Sequence, residues 1–266
     1  MSTNMASREW LVQLAQSRQR VLSAVQEGKL PADALREIAL SKADLAIVLP
    51  PMPVDPAQHM EQAHALSRPY LERLIQHDPT LEIKVDAEHS YTARKVLRRV
   101  LDHALDHLNQ IEQWLAWQER GLVPEPTDGW ASSGVTFAED RVPLTQAELD
   151  AWLWRIDIAV GLVVQRARQL SQQQLDWRPS IGGWSIRQIL HHLAQAQRYY
   201  VVWLDEPLPA DPLACYVEAS QRFEEQLQQR LPEHAHTIVF NGEEETFPEP
   251  LVKSVLKAEQ ELLSGK

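Results

Sequence analysis

The stretch "LRRVLDHALDHLNQIEQWL", Leu97 to Leu115, decides the fold. Apolar residues recur in it every three or four positions and neither Gly nor Pro interrupts, the pattern of a long helix that buries one face. On that helix Val96, Val100, His103, His107 and Trp114 share a face, with Leu97, Leu101, Leu108 and Leu115 beside them. Two imidazoles four residues apart on one helix face can offer two nitrogens to one ion, and zinc or another late first-row metal accepts that set. On spacing alone, a buried or half-buried histidine that hydrogen-bonds locally is the commoner outcome.

Outward from this helix the chain keeps the same character. It has 266 residues, 44% of them hydrophobic, enough for a sizeable core, and only nine Gly, which favours helices over a turn-rich β fold. An all-α protein is expected. A net charge of -11 argues against nucleic acid or an anionic membrane as partner, since both are negative themselves. The opening "MSTNMASREW" lacks the apolar core of a secretion signal and no run approaches a membrane span, so a cytoplasmic protein is expected. Cys215 is the single cysteine. Disulfides within the chain and CxxC metal sites are therefore excluded, and a transition metal must use His and carboxylates.

Helical periodicity covers 7 to 27, 31 to 49, 56 to 76 and 92 to 119. The segment "ERGLVPEPTDGWASSGVTFAEDRVPLTQ", Glu119 to Gln146, then gathers Pro, Gly and Ser and breaks it. Beyond it, Thr145 with Glu148 and Ser185 with Gln188 form capping boxes that open two further helices, the first reaching about Leu170. Two more follow near 212 to 231 and 249 to 264. The expected organisation is a helical half at 1–120 carrying the HxxxH helix, a linker at 121–144, and a helical half at 145–266, about eight helices in all. "PMPVDP" at Pro51 and "PLPADP" at Pro207 share four of six residues at an offset of 156, which suggests internal duplication. The same offset pairs extended segments at Leu81 to Val85 and from Thr237 to Phe240.

The second decisive stretch is "GGWSIRQILHHLAQAQRYYVVWL". Its helix places Ser185, Ile189, His192, Ala196, Tyr199 and Trp203 on one face, with His192 inward and His191 sideways. "GWSIRQILHHLA" resembles the second helix of the DinB-like (DinB/YfiT-like) family, where Gly-Trp-Ser precedes a helix whose His stands eight residues after the Trp; here that is His192. "YTARKVLRRVLDHALDHLNQI" is similar to that family's fourth helix, with two His at i, i+4 and a Gln three residues on: His103, His107 and Gln110. The resemblance implies a four-helix bundle in which His103, His107 and His192 hold one divalent metal, zinc or nickel first among the candidates.

The order is inverted relative to the family, because the HxxxH helix here precedes the GWS helix. At the 156 offset Arg36 stands opposite His192, and Glu259 and Leu263 opposite His103 and His107, so neither half carries a complete triad. Either each half folds as its own degenerate bundle, or the long helix of the first half meets the GWS helix of the second in a composite site, as in a circular permutant. With the triad assembled, the resemblance implies a metal-dependent enzyme acting on a small molecule by hydrolysis or thiol-dependent transfer; with it dispersed, a non-catalytic bundle serving binding or assembly. No general base can be chosen. Gln110 and Asp157 are candidates to orient a ligand, Asp157 being equally suited to lie on the surface or to pair with Arg155. Tyr199, Tyr200, Trp203 and Trp114 line a pocket or fill core. The basic run Arg94, Lys95, Arg98 and Arg99 either attracts an anionic substrate or, the more common case, is a solvated helix face balanced by Asp102 and Asp106. Bundles of this kind often dimerise, which makes a homodimer the oligomer to test.

Overall fold

Local chemistry marks the starts of four helices through the side chains of Asp55, Thr92, Thr145 and Ser171. The computed structural model describes residues 3–48, 54–78, 80–84, 90–124, 135–180, 182–205, 207–230, 237–240, 243–246 and 249–265. Nine α-helices occur among them: α1 (Thr3–Gln26), α2 (Leu35–Val48), α3 (Pro56–Arg73), α4 (Ala93–Arg120), α5 (Gln146–Arg168), α6 (Gln172–Leu175), α7 (Ile186–Asp205), α8 (Pro212–Arg230) and α9 (Glu249–Ser264). The expected all-α class holds. The helix not foreseen is α6, whose four residues are too few to show a period; a capping box of Ser171 and Gln174 makes it. Short antiparallel ladders join β1 (Ile83–Lys84) to β2 (Ser90–Tyr91) and β3 (Thr237–Phe240) to β4 (Glu243–Thr246), with β1 and β3 inside the two expected extended segments. Val85 and the centre of the linker, 125–134, lie outside the described residues.

The long helix α4 is set at both ends by its sequence. The Thr92 side chain accepts the Lys95 N–H at its start, and Gly121 closes it with φ 68°, its N–H turned back to the carbonyls of Ala116 and Trp117. A left-handed residue after the last turn favours Gly, which has no Cβ to clash. At the head of α5 the Thr145 hydroxyl accepts from the Glu148 N–H while the Glu148 carboxylate accepts from the Thr145 N–H, the capping box expected there.

The helices gather into two compact units, each drawing two long helices from 1–120 and two from 145–266. Unit 1 comprises Met1–Met52 with Leu208–Lys266, and unit 2 runs from Pro53 to Pro207. In unit 1, α2 packs on α8 and α1 on α9 around Leu14, Leu45, Phe223, Leu227, Leu251, Val252 and Val255. In unit 2, α3 and α4 each pack against both α5 and α7. Its core is formed by Val96, Leu97, Val100, Ile111 and Leu115 of α4, Leu153, Ile156 and Val163 of α5, and Ile189, Leu190 and Leu193 of α7. Among the described residues no helix is long and apolar enough to cross a membrane.

Candidate metal centre

Unit 2 brings the three predicted histidines together. His103 and His107, one turn apart on α4, meet His192 from α7, with His103 Nε2 2.7 Å from His107 Nε2 and 3.1 Å from His192 Nε2. A composite arrangement of the HxxxH and GWS helices is therefore what forms around these side chains. The 3.1 Å separation lies close to the roughly 3.3 Å that two nitrogens keep around a tetrahedral zinc at Zn–N of about 2.0–2.1 Å, and the 2.7 Å one is shorter, a hydrogen-bond length between imidazoles.

Local structure explains why the GWS motif delivers His192. Gly182 and Gly183 have φ of 90° and 122°, a backbone that L side chains rarely adopt, and so turn the chain sharply into α7. The Trp184 carbonyl accepts a 3.0 Å hydrogen bond from the Trp114 indole, tying the turn to α4. Ser185 and Gln188 close the expected capping box, and the Trp184 ring lies 4.5 Å from the His192 ring. Two glycines, a tryptophan and a serine thus fix the start of the helix and one wall around its histidine.

Protonation follows from the hydrogen bonds. The Gln110 amide oxygen only accepts, so at 2.9 Å His107 Nδ1 must donate to it, which leaves the lone pair of Nε2 facing the other two rings. His103 Nδ1 meets the Tyr200 hydroxyl at 2.6 Å. Burial first, then the charges of neighbouring imidazoles and Arg99, keep the set neutral: His107 is lowered to about 4, His192 to about 3, and His103 well below the usual imidazole range. Three neutral imidazoles converging through Nε2 are the donor set that a divalent transition metal takes.

Several expectations need correction. Asp157 is not near the triad; half-exposed on α5, it accepts from Arg68 and meets His64 Nε2 at 2.9 Å, while Arg155 stands over Trp152. The basic run is not a solvated face. Lys95 is fully buried and donates to Thr136, Arg98 forks onto Asp140, Arg94 pairs with Glu148, and Arg99 donates to Tyr200. His191 is buried, its Nδ1 2.7 Å from that of His59. Trp114 and Tyr199 belong to aromatic clusters, with Trp117 and with Tyr91 and Tyr200. The side chain of Trp203 lies outside the described residues.

Unit 1 offers no counterpart among the positions matched by the 156 offset. Glu259, opposite His103, is fully buried, paired with the Lys42 ammonium at 2.5 Å and accepting from the Tyr216 hydroxyl at 2.5 Å, while Lys42 also donates to Ser220. Arg36 donates to the Ala210 carbonyl. An internal ammonium occupies the polar interior of this unit.

Residues 156–248 match the DinB superfamily. The GWS motif and His192 fall inside that stretch, and His103 and His107 precede it. Curated relatives from Bacillus cereus, Bacillus anthracis and Bacillus thuringiensis, each named "Putative metal-dependent hydrolase", are 32% identical over 54 residues, 20% of this chain and 31% of each relative. The chain thus spans about a third of the length of these relatives. No solved structure matches it. The DinB-like resemblance read from the GWS motif agrees with the family match, while the HxxxH motif lies outside it.

Proposed function

We propose that His103, His107 and His192 hold one divalent metal, zinc or nickel, and that this DinB-like chain is a metal-dependent enzyme acting on a small molecule by hydrolysis or thiol-dependent transfer. The observation that carries the reading is the convergence of three Nε2 atoms, one with its tautomer fixed by Gln110. The names of the Bacillus relatives support metal dependence. When bound, a divalent ion with three protein ligands keeps a position open and brings the pKa of a water or thiol there toward about 7.

The protein's own residues do the rest. Gln110 holds His107 in the Nδ1–H tautomer, and Tyr200 orients His103 through its Nδ1. Trp184 covers one side of His192. Because the ligands are all neutral, the centre keeps the full charge of the ion. A small thiol or a hydroxamate should bind the metal-loaded protein and not the chelated one, with the apo bundle still folded. Equal binding, or none, to both forms would overturn the enzymatic reading in favour of a scaffold, the reading that the ion pair in unit 1 favours for that unit.

A further inference from the structure

Arg99 lies one helical turn before His103 on α4, and its surroundings differ from those of the other arginines near it. Arg94 and Arg98 each face a carboxylate, Glu148 for the first and Asp140 with Asp102 for the second. The hydrogen bond of Arg99 goes instead to a neutral group, Nη2 donating to the Tyr200 hydroxyl at 2.6 Å, with the guanidinium 4.9 Å from the centre of that ring. Its Nε is buried without an acceptor among the described residues. A buried N–H of a cation left unpaired costs more than a neutral one, so the position calls for an acceptor that carries charge. Asp102 and Asp106 feel the charge of Arg99 without bonding to it among the described residues.

The Tyr200 hydroxyl, 2.6 Å from Arg99 Nη2 and 2.6 Å from His103 Nδ1, places the guanidinium beside the triad. None of the three ligands is a carboxylate. A divalent ion next to an arginine would put three positive charges together with no carboxylate among the described residues bonded to either, an arrangement stabilised by a negatively charged ligand spanning both.

We propose that Arg99 is a subsite for an anionic group, carboxylate or phosphate, carried by the small molecule that takes the open position at the His103, His107 and His192 centre. The inference rests on the metal-centre reading above. Recognition is two-point: one atom of the ligand on the metal, and a charge-assisted fork to Arg99, the geometry for which guanidinium is suited. Tyr200, already bonded to both Arg99 and His103, fixes the spacing between the two points.

The test uses the full chain loaded with cobalt(II), whose thiolate charge-transfer band reports a thiol at the open position. The probes are 3-mercaptopropionate and 3-mercaptopropionamide, which present the same thiol at the same reach and differ in charge at the far end. The carboxylate should bind at least about tenfold tighter than the amide, the value of a charge-assisted hydrogen bond. In Arg99→Gln this preference should vanish. Arg99→Lys, which keeps the charge and loses the fork, should fall between, and it carries the test if Arg99→Gln does not fold. A preference for the carboxylate that survives both substitutions overturns the anion subsite and leaves the metal centre standing. Failure of the wild type to bind cobalt, or binding unaffected by His103→Ala, overturns both.

Discussion

Metal affinity should be almost independent of pH between 7.5 and 5.5, and the reason is the burial of the ligands. Protons compete with a metal for imidazole nitrogen, so a site of three ordinary histidines, each with a pKa near 6.5, loses about a thousandfold in affinity over that interval. Here the pKa of His107 is about 4, that of His192 about 3, and that of His103 well below normal, chiefly because burial disfavours the charged ring. A lowered folded-state pKa means that protons compete only once the pH falls toward that value. At pH 5.5 the three rings remain neutral, and the expected loss is less than about twofold. Competition against a chromophoric chelator, corrected for the chelator's own protonation and with helical content followed in parallel, gives the affinity at each pH. A fall of a hundredfold or more with the fold intact would refute the argument, because it would mean that the histidines are hydrated and separate before the metal arrives.

Other consequences can be checked in the same preparations. Gln110→Leu removes the acceptor of His107 Nδ1–H and should lower metal affinity by about ten- to a hundredfold with little change in melting temperature. The apo fold should weaken on acidification from pH 7.5 to 5.5 by about 1 kcal/mol for each of His59, His107, His191 and His192, because the unfolded chain takes up protons from about 6.5 and the folded one only near 3 to 4; urea titrations of the metal-free protein that coincide at the two pH values would contradict this. Lys42→Met strands the buried Glu259 carboxylate and should cost unit 1 about 3–5 kcal/mol, whereas Lys42→Met with Glu259→Leu should recover most of it. Neither variant should alter metal content.

Much of the centre was legible because it is written in local pattern. The register of α4 places His103 and His107 on one face whatever else the chain does, and Thr92 and Gly121 mark its ends. Gly182, Gly183, Trp184 and Ser185 announce a turn, a ring contact and a cap in consecutive positions. What escaped depends on neighbours distant in sequence. Tyr200, eight residues after His192, and Arg99, four before His103, carried a helical-spacing signal, but the bond between them crosses from α4 to α7. Lys95 and Arg98 looked solvated because Thr136 and Asp140, which receive them, lie within a segment with no period of its own. The pairing of His59 with His191 and the placement of Asp157 beside Arg68 likewise follow only once α3 is packed against α5 and α7.

The central claim is that three histidines from two helices bind one ion. Its most direct test is anomalous diffraction at the metal edge from crystals of protein purified without a polyhistidine tag. The account predicts a single anomalous peak per chain at about 2.0–2.2 Å from Nε2 of His103, His107 and His192, lost in His192→Ala. A peak that persists in that variant, or that sits on other residues, would contradict it.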